Sequence, residues 1–194
     1  RASALATVEV SAVDAKTGEP IWENNYGTVR GAASMRGMTL YGDKIYLATS
    51  DAHLMAFDAK TGKTVWNTTI GDRKTGSYST SSGPLAVKGK IIQGLGGCGR
   101  YQDEKCFISA YDAQTGKEVW RFRTIALSNE PGGDTWGSLA DTFRAGGETW
   151  ITGSYDPESN LTFWGTAQSK PWTRPSRGSA CSYLECLSVC QALT

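Results

Sequence analysis

Three copies of an eleven-residue motif constrain the fold of this chain more than any other feature. The motif, Ala-x-Asp-Ala-x-Thr-Gly-x-x-x-Trp, ends at Trp22, Trp66 and Trp120. Self-similarity of this kind is the signature of a repeat architecture, in which each unit buries its apolar face against its neighbours. The copies start 44 and 54 residues apart, a spacing that suits units of four short strands with loops of varied length.

Each copy contains the residues of a β-hairpin. The aspartate side chain can accept a hydrogen bond from the backbone two residues on, and the glycine tolerates the positive φ that closes the turn. A return strand then leads to the tryptophan. Because the tryptophan holds a fixed place in every copy, we expect each indole to pack between neighbouring units, with its N–H bonded to a backbone group.

Short apolar runs between turn residues predict the remaining strands. One unit has predicted strands at residues 38–41, 44–49, 53–57 and 63–69, and a second has them at 84–87, 90–93, 107–111 and 117–123. A third unit starts at 148–153 and returns through 160–165, with no second half after it. Residues 8–10 fit the start of a strand, and residues 23–31 have loop character. The predicted fold is all-β: a β-propeller fragment with the last hairpin of one blade, two complete blades and half of another.

The end of the chain departs from this pattern. Residues 1–172 are assigned to the partial propeller, whereas residues 173–194 have no blade periodicity and form an atypical tail. The tail contains Cys181, Cys186 and Cys190, whose spacing does not match a zinc site. A changed reading frame, a foreign terminus and a natural tail all fit this segment.

Composition excludes some functions and leaves others open. The net charge of +1 gives no electrostatic basis for binding nucleic acid. No apolar run approaches the ~20 residues needed to span a bilayer. Cys98 and Cys106 flank a loop between two predicted strands, which favours a disulfide, and hence an oxidising compartment, over free thiols. The only histidine, His53, lies in a predicted strand, so we interpret it as a blade residue and not as a catalytic group.

The repeats also carry a family resemblance. The element Asp-Ala-x-Thr-Gly-x-x-x-Trp resembles the tryptophan-docking motif of the quinoprotein dehydrogenases, which use pyrroloquinoline quinone (PQQ). Other segments look like the same family over residues 8–172: Arg36-Gly-Met-Thr-Leu-Tyr, Ser82-Gly-Pro-Leu-Ala-Val, Gly146-Gly-Glu-Thr-Trp150, Tyr155-Asp-Pro-x-x-Asn-Leu and Trp164-Gly-Thr-Ala-Gln168. The resemblance implies an eight-bladed propeller that oxidises alcohols, polyols or sugars in the periplasm. It also implies an electron acceptor such as a cytochrome c or a membrane quinone.

The resemblance assigns a cofactor-binding set. Arg36 matches the arginine that pairs with a PQQ carboxylate, and Trp150 matches the indole on which the quinone lies. Ser81 falls at a hydroxyl position that contacts the cofactor, with Thr80 and Ser82 as alternative matches. The loop whose backbone amides approach the quinone contains Gly96, Gly97 and Cys98.

The metal and catalytic positions depart from the family. Gln168 lies where the family has a calcium-ligating amide, but Gly99 replaces the calcium-binding glutamate, leaving Asp103 or Glu104 as substitutes. Residues 30–34 lack the family's adjacent cysteine pair, and the catalytic aspartate is expected beyond residue 172. We therefore expect the isolated chain to be inactive.

A second function class also fits the repeats. A cofactor-free scaffold propeller, like the lipoprotein of the outer-membrane barrel-assembly machinery, carries similar ones. The presence of Arg36, Trp150 and Gln168 together favours the enzyme, because a scaffold has no need of them.

Overall fold

The computed structural model describes residues 5–30, 35–98, 101–170 and 188–192. These residues form small antiparallel sheets, as the all-β prediction requires. An N-terminal hairpin of β1 (Leu5–Val13) and β2 (Pro20–Arg30) comes first. The first blade follows, with β3 (Thr39–Tyr41), β4 (Lys44–Thr49), β5 (His53–Asp58) and β6 (Thr64–Thr69) in that spatial order. The second blade repeats the plan with β7 (Leu85–Val87), β8 (Lys90–Gly94), β9 (Phe107–Asp112) and β10 (Glu118–Arg123). The prediction of one terminal hairpin followed by two complete four-stranded blades is confirmed.

The third unit is incomplete and differs from the prediction in two respects. Its hairpin consists of β12 (Ser154–Asp156) and β13 (Leu161–Gly165), and a short pair, β11 (Ala145–Gly146) with β14 (Ser169–Lys170), lies beside it in sequence. The strand predicted at residues 148–153 is therefore wrong. Gly146 and Gly147 take positive φ there, and the Thr149 N–H donates to the carbonyl of Leu95 at 2.8 Å, so this segment follows the second blade instead. The expectation that no further strand follows is also wrong, because β15 (Ser188–Ala192) from the tail pairs with β13.

The loop predicted at residues 23–31 is wrong as well, because β2 continues to Arg30. Alternate side chains of β2 face the first blade and donate to carbonyls in its turn at residues 58–62. Trp22 Nε1 lies 3.1 Å from the oxygen of Ala59, and Asn24 Nδ2 lies 3.3 Å from that of Thr61. Tyr26 continues the series with a bond from its hydroxyl to the carbonyl of Gly62. The period of two was present in the sequence, but its polar members resembled a loop.

Apolar side chains fill the spaces between successive units. Between the two complete blades, Leu54 and Tyr46 of the first pack with Ile91 and Phe107 of the second, each at most 2% exposed. Val8 and Val10 of the N-terminal hairpin pack in the same way on the first blade. Each unit thus depends on its neighbour for burial. No helix among the described residues is long and apolar enough to cross a membrane.

The motif turns join neighbouring units, and we call residues 14–18, 58–62 and 112–116 the first, second and third docking turns. In the second, the N–H groups of Lys60 and Thr61 donate to Asp58 Oδ1 at 3.1 and 2.8 Å, and the Gly62 N–H donates to the Asp58 carbonyl at 2.8 Å. A β-carbon on Gly62 would lie 2.5 Å from the ring of Trp22. The predicted docking of an indole on the next unit is confirmed for Trp22, and also for Trp66, whose Nε1 donates to the carbonyl of Ala113 at 3.1 Å.

Candidate functional site

Three predicted site residues occupy the same topological place in three consecutive units. Arg36 lies just before β3, Ser81 just before β7 and Trp150 just before β12, so each is on the segment that leads into the first strand of its unit. Glycines let two of these segments run close together. A β-carbon on Gly83 would lie 3.1 Å from the carbonyl carbon of Gly37, which leaves little room for any side chain.

The Arg36 side chain joins all three residues. Its Nη1 donates to Ser81 Oγ at 3.3 Å and to the carbonyl of Trp150 at 3.1 Å. The Arg36 backbone N–H also donates to the carbonyl of Ser81 at 3.0 Å. Arg36 and Trp150, which are more than a hundred positions apart in sequence, are therefore in direct contact.

Ser81 is distinguished from its neighbours by its surroundings. The hydroxyl of Thr80 is buried and donates to the carbonyl of Thr49 at 2.6 Å. The hydroxyl of Ser82 is buried and accepts a hydrogen bond from Gln93 Nε2 at 2.8 Å. Of the three candidate hydroxyls, only that of Ser81 contacts Arg36.

The convergence leaves a cation and an aromatic face available to a ligand. Arg36 is exposed, and no described carboxylate forms a salt bridge with it. Trp150 is 52% exposed, an unusual environment for a tryptophan unless a partner covers the ring. A guanidinium without a salt bridge, a neighbouring hydroxyl and an exposed indole on the adjoining segment suit a flat anionic ligand with carboxylate groups.

The predicted glycine loop is hydrogen-bonded to Ser79, two residues before Ser81 of this cluster. Gly96 exchanges two backbone hydrogen bonds with Ser79, at 2.8 and 3.1 Å, and Cys98 accepts one from the Gly146 N–H at 3.3 Å. Gly97 has a φ of +83°, and a β-carbon there would lie 1.9 Å from the carbonyl oxygen of Ser77. Only glycine fits at this position.

The predicted disulfide between Cys98 and Cys106 is confirmed, with their Cα atoms 5.4 Å apart. Both cysteines are buried within the apolar cluster between the first and second blades. The bridge therefore ties the glycine loop at residues 96–98 to the start of β9.

Gln168 is not brought into direct contact with the other predicted site residues. It is exposed and precedes Ser169, which pairs with Gly146 in the β11–β14 pair. Glu104, a candidate substitute ligand, instead lines a cavity with Tyr78, Phe107 and Arg121. No group of three His, Cys, Asp or Glu side chains that could hold a metal occurs in the described part of the chain. Gly99 and the side chains of Cys181, Cys186 and Cys190 lie outside the described residues.

Sequence reasoning missed one ion pair near the cluster. Glu148, two residues before Trp150, is 6% exposed, and its Oε1 accepts a hydrogen bond from Lys170 Nζ at 2.7 Å. Its Oε2 is buried without a hydrogen-bond partner among the described residues. A lone glutamate next to two glycines gave no periodic signal that could have revealed this pairing. His53, in contrast, behaves as predicted: it lies in β5, with Nδ1 2.9 Å from Asn67 Oδ1.

The sequence matches the family described as the β-propeller domain of PQQ-dependent glucose, ethanol and alcohol dehydrogenases, over residues 3–177. It is 38% identical over 192 residues to the quinohemoprotein alcohol dehydrogenase ADH IIB of Pseudomonas putida, covering 90% of this chain and 27% of that protein. It is 34% identical over 185 residues to the quinoprotein alcohol dehydrogenase PedH of Pseudomonas putida KT2440, covering 84% of this chain and 30% of that protein. The chain thus spans less than a third of the length of these relatives.

Solved structures show the same similarity. The quinohemoprotein alcohol dehydrogenase ADHIIG from Pseudomonas putida HK5 matches with a TM-score of 0.75 and 30% identity, over 87% of this chain and 27% of that one. The quinohemoprotein alcohol dehydrogenase from Comamonas testosteroni matches with a TM-score of 0.74 and 29% identity, over 87% of this chain and 28% of that one. Both matches support the assignment of the sheets to part of a propeller.

Proposed function

Because the chain belongs to the family of PQQ-dependent dehydrogenase β-propeller domains, we propose that it forms part of the PQQ-binding face of an alcohol dehydrogenase. The observation that carries the proposal is the contact of Arg36 with both Ser81 and Trp150. A scaffold propeller would not require an exposed arginine and an exposed tryptophan to meet at the entries of three units.

The described residues fit the cofactor. PQQ is flat and carries several carboxylates, and when bound it supplies the oxidising group of the reaction. Arg36 would pair with a carboxylate through its N–H donors, and Ser81 would add a neighbouring hydroxyl. Trp150 would cover one face of the ring system and exclude water from it. The backbone of residues 96–98, with Gly96 and Gly97 lacking side chains, would allow close approach at the edge.

Calcium does not fit the described residues by themselves. Calcium takes six to eight oxygen ligands, usually with several carboxylates. Gln168 offers one amide oxygen, and Glu148 is bound to Lys170 instead. We therefore propose Gln168 as a single contributing ligand and assign the described residues no complete metal site.

For the whole protein we propose an alcohol substrate, because ADH IIB, PedH and the matched structures are named as alcohol dehydrogenases. A polyol or a sugar is the broader alternative that the family name allows. Electrons would pass to a cytochrome c or a membrane quinone. The buried Cys98–Cys106 disulfide supports a periplasmic location, where such bonds persist.

Titration of the purified chain with PQQ, followed by quenching of tryptophan fluorescence, tests the proposed site. Removing a charge-assisted hydrogen bond costs about 1.5–3 kcal/mol, so Arg36→Ala should weaken PQQ binding roughly tenfold to a hundredfold. Arg123→Ala is the matched control, because Arg123 is an exposed arginine on β10 that pairs with Glu130. Equal affinities for both variants would overturn the assignment of Arg36.

Activity is a separate matter from binding. Supplied with PQQ and calcium, the 194-residue chain should show no dye-linked alcohol oxidation above background. A positioned general base contributes about 10²–10⁴-fold to rate, and the family's catalytic aspartate is expected beyond residue 172. Glu148, two residues before Trp150, is bound to Lys170 and is not free to replace it. Turnover that Trp150→Ala abolishes would show that a complete site exists, while PQQ binding without turnover would support the proposal as stated.

A further inference from the structure

The ion pair of Glu148 and Lys170 differs from the others in the described part of the chain by its burial. Glu148 Oε1 accepts a hydrogen bond from Lys170 Nζ at 2.7 Å, and the two side chains are 7% and 25% exposed. In each of the other four pairs the carboxylate side chain is at least 28% exposed. Taking two charges out of water is costly, and their attraction offsets this cost only when the remaining polar atoms are also hydrogen-bonded.

The second oxygen of Glu148 does not meet that condition. Glu148 Oε2 is buried and has no hydrogen-bond partner among the described residues. A buried pair of this kind adds little to stability, because apolar side chains of similar volume in its place are often neutral or stabilising. The stability of the fold therefore does not account for the pair.

The pair closes a short detour that contains two glycines. Gly146 and Gly147 have φ values of +103° and +67°, and Gly146 is the last residue of β11. Residues without a side chain leave the direction of the backbone weakly specified. Glu148 has the first side chain after them, and its bond reaches Lys170 on β14, the strand that pairs with β11. The bond thus fixes the path by which the chain leaves β11.

Trp150 follows this point by two residues. The Glu148 carbonyl accepts a hydrogen bond from the Ala167 N–H at 2.7 Å, and the Trp150 carbonyl accepts one from Arg36 Nη1 at 3.1 Å. These bonds hold the backbone, whereas the Trp150 indole is 52% exposed. The direction of the indole therefore depends on the path that the backbone takes from Glu148.

We propose that Glu148 and Lys170 are positioning residues, whose bond sets the path of residues 147–150 and thereby holds the Trp150 indole in the orientation that receives the flat face of PQQ beside Arg36. The identity of the ligand rests on the proposed function, whereas the orientation of the indole is a property of the chain alone. In this role neither Glu148 nor Lys170 contacts the ligand.

Position and charge predict different signs for substitutions in the pair. PQQ is an anion, so by charge alone Glu148→Met would strengthen its binding and Lys170→Met would weaken it. If the pair acts through position, each substitution breaks the same bond, and both weaken binding. The double variant then binds no more weakly than either single variant, because the bond is lost only once. By charge alone, the double variant would bind like the unsubstituted chain.

Fluorine NMR without ligand tests the orientation of the indole. A chain that carries 5-fluorotryptophan has seven labelled indoles, and Trp150→Phe identifies the resonance of Trp150. This resonance should shift or broaden in Glu148→Met, in Lys170→Met and in the double variant, whereas that of Trp22 should not change. Glu118→Met is the matched control, because Glu118 forms an ion pair within β10. It should leave the Trp150 resonance unchanged.

Titration of the same variants with PQQ measures the consequence for binding. If the indole is correctly oriented in about a tenth of the molecules, the Kd rises about tenfold, and both single variants and the double variant should share this rise. Urea denaturation should show the double variant to be at least as stable as the unsubstituted chain, since two apolar side chains replace a buried pair. Weak binding by a stable double variant separates positioning from loss of the fold.

Three results would overturn the proposal: a Trp150 resonance that is unchanged in all three variants, tighter PQQ binding by Glu148→Met, or an unsubstituted affinity in the double variant. If the unsubstituted chain does not bind PQQ at all, the proposed function fails, and the resonance alone decides the role of the pair. A change in the three variants but not in Glu118→Met then supports orientation of Trp150 by the pair, and no change overturns it.

Discussion

The second and first docking turns have the same residues and the same backbone hydrogen bonds to their aspartates, yet they differ in what lies on their glycine. In the second, the Trp22 indole rests on Gly62, so a β-carbon would lie 2.5 Å from the ring. In the first, Gly18 faces open space. Both glycines serve the positive φ of the turn, but only Gly62 also serves the packing between units. The repeat therefore specifies the turn, whereas the unit that packs on the turn determines how much stability depends on the turn's glycine.

Alanine at these two glycines should give the largest difference. A left-handed conformation costs an alanine about 1–2 kcal/mol, so Gly18→Ala should lower the free energy of unfolding by about 1 kcal/mol. Gly62→Ala adds the overlap with the Trp22 ring and should lower it by about 3 kcal/mol. Urea denaturation of both variants at one low protein concentration measures the difference. Equal losses would show that the indole moves aside without cost.

The interface between the first and second blades contains a disulfide, and the interface between the N-terminal hairpin and the first blade does not. Cys98 and Cys106 are buried in the cluster between the first and second blades, and no such bridge lies in the cluster between the N-terminal hairpin and the first blade. Closing a loop of this size stabilises a fold by about 2–3 kcal/mol. Replacing both cysteines by serine should lower the free energy of unfolding by that amount. Hydrogen exchange should then increase in β9 more than in β1, and the opposite order would contradict this account.

The sequence predicted the blades well because each has apolar runs with clear turn residues between them. The strand at 44–49 was predicted to the residue, since nearly all of its side chains are buried. The continuation of β2 was missed because Asn24 and Tyr26 serve docking through polar atoms, which local pattern rules assign to loops. Residues 148–153 were missed for the reverse reason. Their β-branched and aromatic residues suggest a strand, but long-range bonds to the second blade hold them in an irregular path.

The candidate site was predictable only where the resemblance supplied residue identities. No local pattern would have brought Arg36 to Trp150, because their contact arises from the stacking of three units. Three adjacent hydroxyls cannot be told apart by sequence, whereas their contacts differ: Ser81 contacts Arg36, but Thr80 bonds to Thr49 and Ser82 to Gln93. Gln168 is the opposite case. Its family position predicts a metal ligand, but no group of three His, Cys, Asp or Glu side chains that could hold a metal occurs among the described residues.

Removing the indole N–H should lower the free energy of unfolding at Trp22, whose N–H has an acceptor, but not at Trp120, whose N–H has none among the described residues. Trp22→Phe leaves the carbonyl of Ala59 without its donor and should lower the free energy of unfolding by about 1 kcal/mol beyond the loss of ring volume. Trp120→Phe removes a buried donor that has no acceptor among the described residues, so the same correction should be close to zero or favourable. Thermal or urea unfolding at low protein concentration compares the two. An equal cost would show that Trp120 has an acceptor.

The smallest expected effect concerns the aspartates of the turns and their dependence on pH. The hydroxyl and backbone N–H of Thr61 hold the pKa of Asp58 below its usual value, and the N–H groups of Thr17 and Lys16 do the same for the pKa of Asp14. Because the folded pKa is the lower one, each carboxylate contributes stability above its unfolded pKa, near 3.8, and this stability is lost as pH falls through the folded value. Asp58→Asn should therefore reduce the fall in melting temperature between neutral pH and acid. Asp14→Asn should change this fall less for two reasons: Asp58 also accepts a hydrogen bond from the Thr61 hydroxyl at 2.8 Å, and opening the uncovered first turn does not release a docked tryptophan, whereas opening the second turn does. Melting curves of both variants from pH 7 to below the usual aspartate pKa measure the two slopes, and a larger change for Asp14→Asn would contradict the link between docking and acid stability.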